Sequence, residues 1–490
     1  MNYKKIIVFI TLPLILLQTA CKKLVTVDEP ISSITTQEAF STDAQATAAM
    51  AGVYAPMING TTMSSNNVYT GFAAGLSTMT GGFSSDELEV FGGTNPLETN
   101  QLTGTGFYYV NVIWTSAYKT IYNANGVIEG IAASTSGDLH DSVRKELTAE
   151  AKFVRAFAYT YLVNFFGDVP LALTVDFNKT ANMARTPAAD VYKQIVQDLK
   201  DAQADLAADF TYGYGERIIP NKYAATALLA RVYLYLGQYD DAAAQASTVI
   251  SNTAQYSLVQ NLNNVFLKNS AEAIWQLKQD SAILAEGTAT PEGIQFLPSP
   301  TFGNGQLSEN LSSELVNSFE SGDLRRTDWV DSTDGSVYGL PAGNYYFAYK
   351  YKVGSPNFIL GGVDKEYYMA LRLAEQYLIR AEAEAKGSNG GASAAIADLN
   401  VLRNRAGLGP ISSGITSDSL WSAVAHERQA ELFCEWGHRW FDLRRMGLAH
   451  DVLSAMAVKQ PWAGDYQFLY PIPTTEIVDD HFLVQNPGYH

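Results

Sequence analysis

The stretch HERQAELFCEWGHRWFDLRRM, residues 426–446, carries two periodic patterns that predict a helix at the edge of a core. Apolar residues recur at three- and four-residue steps, so one helical face points inward; they are Leu420, Val424, Leu432, Phe433 and Trp436. Glu427, Glu431 and Glu435 recur at every fourth residue and form a second stripe beside that face. The pattern therefore predicts a row of carboxylates next to buried apolar side chains.

A second helix, HRWFDLRR, is expected directly after Gly437, which can end the first helix in a left-handed conformation. We expect Arg439, Arg444 and Arg445 of the second helix to pair with the glutamates, because the planar guanidinium group donates two hydrogen bonds to one carboxylate. This interpretation makes the stretch a clamp between two helices. A catalytic role is the alternative, but no nucleophile accompanies the carboxylates, and Ala430 replaces the second histidine of an HExxH zinc motif.

Length and charge limit the classes of function. The chain has 490 residues, of which 47% are hydrophobic and 17% charged, and helical superhelices of this length can form one unit. Its formal net charge of −17 argues against a nucleic-acid partner, because phosphate binding needs clustered Lys and Arg. Neutral partners are the better expectation.

The amino-terminal residues have the features of a secretory signal. Lys4 and Lys5 precede an apolar run over residues 6–17, which is too short to span a bilayer. Cys21 follows small residues and resembles the lipid-attachment cysteine of a bacterial lipobox, although Gln18 stands where Leu is usual. We therefore expect a signal peptide over residues 1–20 and a lipid anchor on Cys21, with ordinary secretion as the alternative. Cys434 is expected to be a buried apolar residue.

Two helix pairs have the alanine and glycine spacing of tetratricopeptide repeats. They occupy residues 221–250 and 371–402, and the helices expected over 107–165 could form a third, degenerate unit. We therefore predict a mainly α fold, a tetratricopeptide-like helical superhelix with repeats over about 107–252 and 366–450.

Two segments differ from the repeats. Residues 59–106 are rich in Gly, Thr, Ser and Asn, and residues 254–365 contain β-prone runs at 256–259, 273–277 and 345–351. We predict that they form a loop-rich, irregular insertion with short strands and that they carry the ligand-binding face.

Ligand binding at this face would need aromatic rings for the apolar faces of a sugar and polar groups for its hydroxyls. Trp329 is the strongest candidate, because it is a lone tryptophan in a polar segment. The other candidates are Tyr69, Phe72, Phe83, Phe302, Tyr345, Tyr346, Asn66, Asn67 and Asp86. Core packing is the alternative for each aromatic residue. Calcium binding at residues 328–334 is a further alternative that lacks the full loop pattern, so we expect neither a metal nor a cofactor.

Several sequence blocks resemble the SusD/RagB family of outer-membrane lipoproteins of Bacteroidota. They are GHRWFDLRRMG at 437–447, YPIPTTEI at 470–477, QNPGY at 485–489, RLAEQYLIRAEAEA at 372–385, LNVLRNRAGL at 399–408 and CKKLVTVDEP at 21–30. The resemblance covers residues 21–490 as one SusD-like domain. It implies a non-enzymatic, surface-exposed protein, anchored in the outer membrane by its lipid, that binds oligosaccharide and works with a SusC-like TonB-dependent transporter.

The resembling blocks are scaffold motifs, so they leave the ligand open. A peptide ligand, as in the RagB branch, is one alternative. A surface glycoside hydrolase is another, since it needs only two suitably spaced carboxylates, and a helical interaction scaffold is a third.

Overall fold

A computed structural model of the chain describes residues 36–59, 71–90, 95–103, 107–282, 287–299 and 309–489. Most of these residues are helical, as predicted. The helices are α1 (Thr36–Ala39), α2 (Asp43–Asn59), α3 (Ser77–Ser84), α4 (Tyr108–Ala133), α5 (Asp141–Phe166), α6 (Phe177–Thr180), α7 (Ala188–Asp205), α8 (Lys222–Tyr235), α9 (Tyr239–Ile250), α10 (Pro291–Phe296), α11 (Ser313–Ser318), α12 (Leu324–Asp328), α13 (Leu373–Ala385), α14 (Gly391–Arg405), α15 (Ser417–Leu432), α16 (His438–Arg445), α17 (Ala449–Leu453) and α18 (Thr474–Asp479). Within these residues, no helix is both long and apolar enough to cross a membrane.

Successive helices pack against each other as in a repeat protein. Helix α4 packs on α5, α5 on α7, α7 on α8, α8 on α9, α9 on α13, and α13 on both α14 and α15. Asn221 caps α8 by accepting hydrogen bonds from the backbone N–H groups of Tyr223 and Ala224. Fully buried alanines on α8 let α9 approach closely, and Gly237 makes the turn between the two helices with a φ of 69°. The predicted mainly helical fold is confirmed.

The short strands form three antiparallel pairs. They are β1 (Leu88–Glu89) with β3 (Asn310–Leu311), β2 (Ala273–Leu277) with β6 (Tyr368–Arg372), and β4 (Val330–Asp334) with β5 (Asn344–Ala348). The strand predicted at 273–277 is confirmed, and the one predicted at 345–351 is confirmed as far as Ala348. The strand predicted at 256–259 does not form; the Tyr256 ring there packs on Arg217 and Tyr223.

The glycine-rich segment predicted as an exposed loop is helical where it approaches the core. A π-helical turn, Phe72–Leu76, continues into α3, and every residue of both is buried. A Cβ atom added at Gly81 would lie 2.5 Å from the Cα atom of Gly437. The loop prediction is thus wrong for residues 72–84, because small residues here allow α3 to pack against the start of α16.

The acidic stripe of α15 lies at the centre of the fold, but its partners differ from those predicted. We call this cluster the ionic hub; its members are Glu272, Asp323, Arg325, Lys350, Arg372, Arg405, Glu427, Glu431 and Glu435. Arg372 donates to Glu431 at 2.6 Å and to Glu435 at 2.8 Å, and Arg325 donates to Glu427 at 2.5 Å. All of these side chains are almost fully buried.

The arginines of α16 pair elsewhere. Arg439 binds Asp86, Arg445 binds Glu382 and Asp442, and Arg444 donates to the backbone carbonyl of Asn164. An ion pair does join the two helices, as the predicted clamp requires, but the arginine lies on α15 and the carboxylate on α16. Arg428 of α15 donates to Asp442 of α16 at 2.7 Å. Gly437 has the predicted left-handed conformation, with a φ of 75°, and Cys434 is buried as predicted. The first helix nevertheless ends at Leu432, so Gly437 caps the start of α16 and Glu435 lies in the turn between the two helices.

The hub fixes the charge state of its carboxylates. Burial by itself raises the pKa of Glu431, yet Arg405, Arg372 and Arg325 together hold that pKa far below its ordinary value. Burial likewise disfavours the charged form of Arg372, and Glu435 and Glu431 reverse this effect and raise its pKa. Glu431 and Arg372 are therefore ionised, and the hub holds several elements together as a structural network.

Candidate functional site

The predicted ligand-binding residues divide into three groups by position. Asn66, Asn67, Tyr69 and Phe302 lie outside the residues that the structure describes, as does Cys21. Trp329, Phe72, Phe83 and Asp86 lie in the core. Tyr345 and Tyr346 are half-buried on β5.

The structure contradicts a ligand contact for Trp329. Its side chain has 0% exposure, and its indole N–H donates to the carbonyl of Leu262 at 3.0 Å. The Lys350 ammonium lies 4.9 Å from the ring centroid, so the indole forms part of the wall around the ionic hub. Its acidic neighbour Asp334 caps the next turn by accepting a hydrogen bond from Ser336. No group of three metal-binding side chains occurs among the described residues.

Phe72, Phe83 and Asp86 are also structural. The two rings are 1% and 2% exposed, and Phe72 packs on Tyr161 at a centroid distance of 5.6 Å. Asp86 accepts two hydrogen bonds of 2.7 Å from Arg439, which leaves its carboxylate fully engaged. These three predictions are wrong because the segment that carries the residues is a buried helix and turn.

Tyr345 and Tyr346 keep part of their surface, so their binding role stays a prediction. They pair with Thr333 and Ser332 of β4, and their side chains point to opposite faces of the two-stranded sheet. The Arg326 guanidinium lies 4.7 Å from the ring centroid of Tyr346.

Several predicted ligand segments do converge on one surface. Strand β1 pairs with β3, which places Glu89 opposite Asn310, and β5 packs beside β3. The start of α4 lies near the same place, since Glu309 acts electrostatically on Tyr109. We call this surface the loop face and define it by Glu89, Tyr108, Tyr109, Glu309 and Glu314.

The loop face combines an exposed ring with crowded carboxylates. Tyr108 is 47% exposed and packs edge-on against Tyr109 at a centroid distance of 5.5 Å. Partial burial raises the pKa of Glu89, and the nearby carboxylates of Glu314 and Glu98 raise it further. Such a surface offers an apolar platform beside strong hydrogen-bond acceptors, which is the combination that a polyhydroxylated ligand needs.

A buried lysine, Lys459, holds together the backbone segments next to the loop face. The Lys459 ammonium donates to the carbonyls of Phe83, Ser84 and Glu98, at 3.1, 3.2 and 2.7 Å. Burial lowers its pKa to about 7. Lys459 thereby ties the turn after α3 to the segment that carries Glu98.

Sequence reasoning missed Tyr108 and Tyr109 because it assigned them to a core helix. A usable signal was present in the triplet Phe107-Tyr108-Tyr109. Successive residues on a helix point 100° apart, so three aromatic residues in a row at a helix start cannot all face one core. On a helix that packs on only one side, at least one of these rings is expected to face solvent or a ligand.

Outside the hub, the carboxyl groups whose pKa values are raised most lie in the interior of the protein. Burial raises the pKa of Glu87 and of Glu292 to about 8. Glu292 accepts hydrogen bonds from Thr78 and from Tyr368, and its side chain is 2% exposed. These groups are enclosed by core side chains, so their perturbed pKa values reflect packing.

Comparisons with known proteins agree with this architecture. A family model described as the SusD family matches residues 329–489, and one described as starch-binding and associating with the outer membrane matches residues 30–234. SusD-like protein P2 of Formosa agariphila is 29% identical over 94% of this chain and 96% of its own length.

Solved structures share the fold at lower identity. A SusD superfamily protein from Bacteroides vulgatus has a TM-score of 0.76 at 20% identity, covering 92% of this chain and 100% of its own. A laminarin-binding SusD-like protein has a TM-score of 0.71 at 24% identity, with the same coverage. The two family models together match residues 30–234 and 329–489, and with the full-length relative they lead to one conclusion: the chain belongs to the SusD/RagB family.

Proposed function

We propose that the protein binds oligosaccharide nutrients at its loop face and delivers them to a SusC-like TonB-dependent transporter in the outer membrane. The observations that carry this proposal are the exposed Tyr108 ring, which packs on Tyr109 near Glu309, and the carboxylates of Glu89 and Glu314 on the loop face. The fold is shared with a laminarin-binding protein. The matching family description, starch-binding and associating with the outer membrane, supports the same ligand class and location.

The ligand chemistry follows from the groups at the loop face. A sugar ring has an apolar C–H face that can cover an aromatic ring, and hydroxyl groups that can donate to carboxylates. One such stacking contact contributes about 1–2 kcal/mol, so several contacts are needed even for a millimolar Kd. Tyr109, Tyr345 and Tyr346 are the further rings that we assign to the ligand, together with the candidates at 66, 67, 69 and 302.

The location follows from the amino terminus. Cleavage before Cys21 and acylation of that cysteine would tether the protein to the outer membrane, and two or more acyl chains hold a protein durably. Changing Cys21→Ala is expected to release the protein from the membrane fraction. Retention of the variant in that fraction would contradict the lipid anchor.

Binding is tested with purified protein and a panel of polysaccharides that includes starch and laminarin. We expect binding without the release of products. Tyr108→Ala should weaken binding about tenfold, because it removes one stacking face. The matched control is Tyr214→Ala, which removes a ring that is 93% exposed. Residue 214 has a positive φ, and alanine keeps the Cβ atom that tyrosine carries there.

Each alternative predicts a different result. Release of shortened saccharides would identify a glycoside hydrolase and overturn the binding-only assignment. Binding of peptides with no binding of any polysaccharide would favour the peptide-binding alternative. Equal affinities of the Tyr108→Ala variant and the wild type for a bound glycan would remove the loop face from the proposal.

A further inference from the structure

A pocket of about 460 Å³ lies between α4 and the carboxyl-terminal helix α18, away from the loop face. One wall comes from successive turns of α4, and the other from α18 and the residues after it. The residues that matter most here are Trp114, Tyr118, Lys119, Tyr122, Glu476 and Asp479. Its volume lies in the range of small-molecule sites, and its lining is mainly apolar with a few polar groups, as such sites usually are.

The walls of the pocket are fixed by hydrogen bonds. The Tyr118 hydroxyl donates to the carbonyl of Pro170 at 2.8 Å. Asp480 accepts from the backbone N–H of Met183 at 2.9 Å. Burial raises the pKa of Glu476, which also accepts a hydrogen bond from Trp114. The cavity is therefore preformed, which reduces the loss of conformational freedom on binding.

Exposed aromatic residues border this pocket. Tyr122 lines it and is 53% exposed. Phe177 is 75% exposed and begins α6, whose last residue lines the pocket, and Phe482 is 59% exposed between two lining residues. Exposed rings that cluster around one pocket are typical of a ligand-binding surface, whereas single exposed rings are common on any protein.

A continuous exposed stripe on α4 connects the pocket to the loop face. Tyr108, Thr115, Lys119 and Tyr122 are all exposed and recur at seven, four and three residues, so they share one side of the helix. The helix rises 1.5 Å per residue, so Tyr108 and Tyr122 lie about 21 Å apart along its axis. A ligand that runs along this stripe would contact both sites.

We infer that this pocket is a second carbohydrate subsite, which holds a distal part of the same glycan chain that binds at the loop face. The inference rests on the proposed glycan-binding function and adds to it a preference for long chains. The ligand class is a neutral saccharide, because Lys119 offers a hydrogen-bond donor and Glu476, Asp479 and Asp480 offer acceptors for its hydroxyls, while three carboxyl groups against one lysine disfavour an anionic ligand.

Chain length is the variable that tests this inference. The probe is the polysaccharide from the panel that the wild-type protein binds most tightly, together with its disaccharide and its longer fragments, measured by calorimetry. We expect Tyr122→Ala to weaken binding of the long fragments about tenfold and to leave the disaccharide affinity unchanged. Phe482→Ala, on the opposite wall, should reproduce this length-dependent loss. Tyr214→Ala is the matched control at a remote exposed tyrosine.

The possible outcomes separate the two proposals. If both variants bind long fragments as tightly as the wild type does, the second subsite is wrong while the proposed function stands. If the variants lose affinity for all lengths equally, the pocket does not act as a distal subsite, and the inference is again overturned. If the wild type binds no polysaccharide at all, the proposed function fails and the inference fails with it. Thermal unfolding at an unchanged Tm confirms that the substitutions leave the fold intact, as expected for exposed rings.

Discussion

The ionic hub and the loop face both combine carboxylates with aromatic rings. The charged groups next to the carboxylates are positive in the hub and negative at the loop face. In the hub, Glu431 is surrounded by Arg325, Arg372 and Arg405, and every oxygen is engaged. At the loop face, Glu89 faces the carboxylates of Glu314 and Glu98. A carboxylate that is already matched has nothing left for a ligand, whereas one crowded by like charges gains from a new hydrogen-bond donor. The charge of the neighbouring groups therefore distinguishes a structural carboxylate such as Glu431 from a carboxylate of the proposed binding surface such as Glu89.

The largest effect is expected from removing one cation of the hub. Arg372→Ala should lower the free energy of unfolding by about 3–5 kcal/mol, because it leaves buried carboxylates unpaired. Urea denaturation measures this change. The control is Lys193→Ala, whose ammonium is exposed and paired with Asp190 on the surface, and which should change stability by less than about 1 kcal/mol. Equal small effects for both variants would mean that the hub contributes no more than a surface ion pair.

The next effect concerns the close approach of α3 and α16. Gly81→Ala should destabilise the fold by about 1–3 kcal/mol, because the added methyl group would overlap the backbone at Gly437. The control is Gly52→Ala in α2, where no atom lies within 4 Å of the added Cβ, and where alanine should be neutral or stabilising. The same direction of change in both variants would contradict the packing role of Gly81.

A pH-dependent effect on stability is expected from the buried Glu292. Its pKa is raised to about 8 in the folded state, so the native protein binds a proton that the unfolded chain has lost above about pH 4.5. This group therefore makes the protein less stable as pH rises from about 5 to 8, with a slope of up to about 1.4 kcal/mol per pH unit. Glu292→Gln should flatten this part of the profile, measured by denaturation at several pH values. An unchanged slope would refute the neutral form of Glu292.

The smallest effect concerns the indole of Trp329. Trp329→Phe removes the hydrogen bond to Leu262 and should lower stability by about 1–2 kcal/mol, while glycan affinity stays at the wild-type value. Tyr108→Ala should show the reverse, with weaker binding and unchanged stability. A loss of glycan affinity in the Trp329→Phe variant would break the distinction between core and binding face.

Sequence periodicity predicted the helices well because it depends on local spacing. The helix pairs at 221–250 and 371–402 formed where the alanine and glycine pattern placed them. The acidic stripe was placed correctly for Glu427 and Glu431, whereas Glu435 lies beyond the end of α15 at Leu432. The partners of the stripe were not predicted, because Arg325, Arg372 and Arg405 come from distant elements that only the tertiary fold brings to α15.

Composition was a weaker guide than periodicity. Residues 72–84 look like a loop because they are rich in Gly, Ser and Thr, yet these small residues serve close helix packing. Trp329 stood out against polar neighbours, but the polarity of a segment does not fix the direction in which a side chain points. Tyr108 was overlooked for the opposite reason, since a helical pattern does not reveal which turn of the helix remains uncovered.

The ionic hub also constrains when the chain can fold. Glu272 is paired with Arg372 and Arg405, which follow it by 100 and 133 positions. A growing polypeptide that ends before residue 372 lacks both cations of Glu272, and one that ends between residues 372 and 405 still lacks Arg405. The complete hub can therefore form only after residue 405 has been synthesised, whichever helices have formed before it.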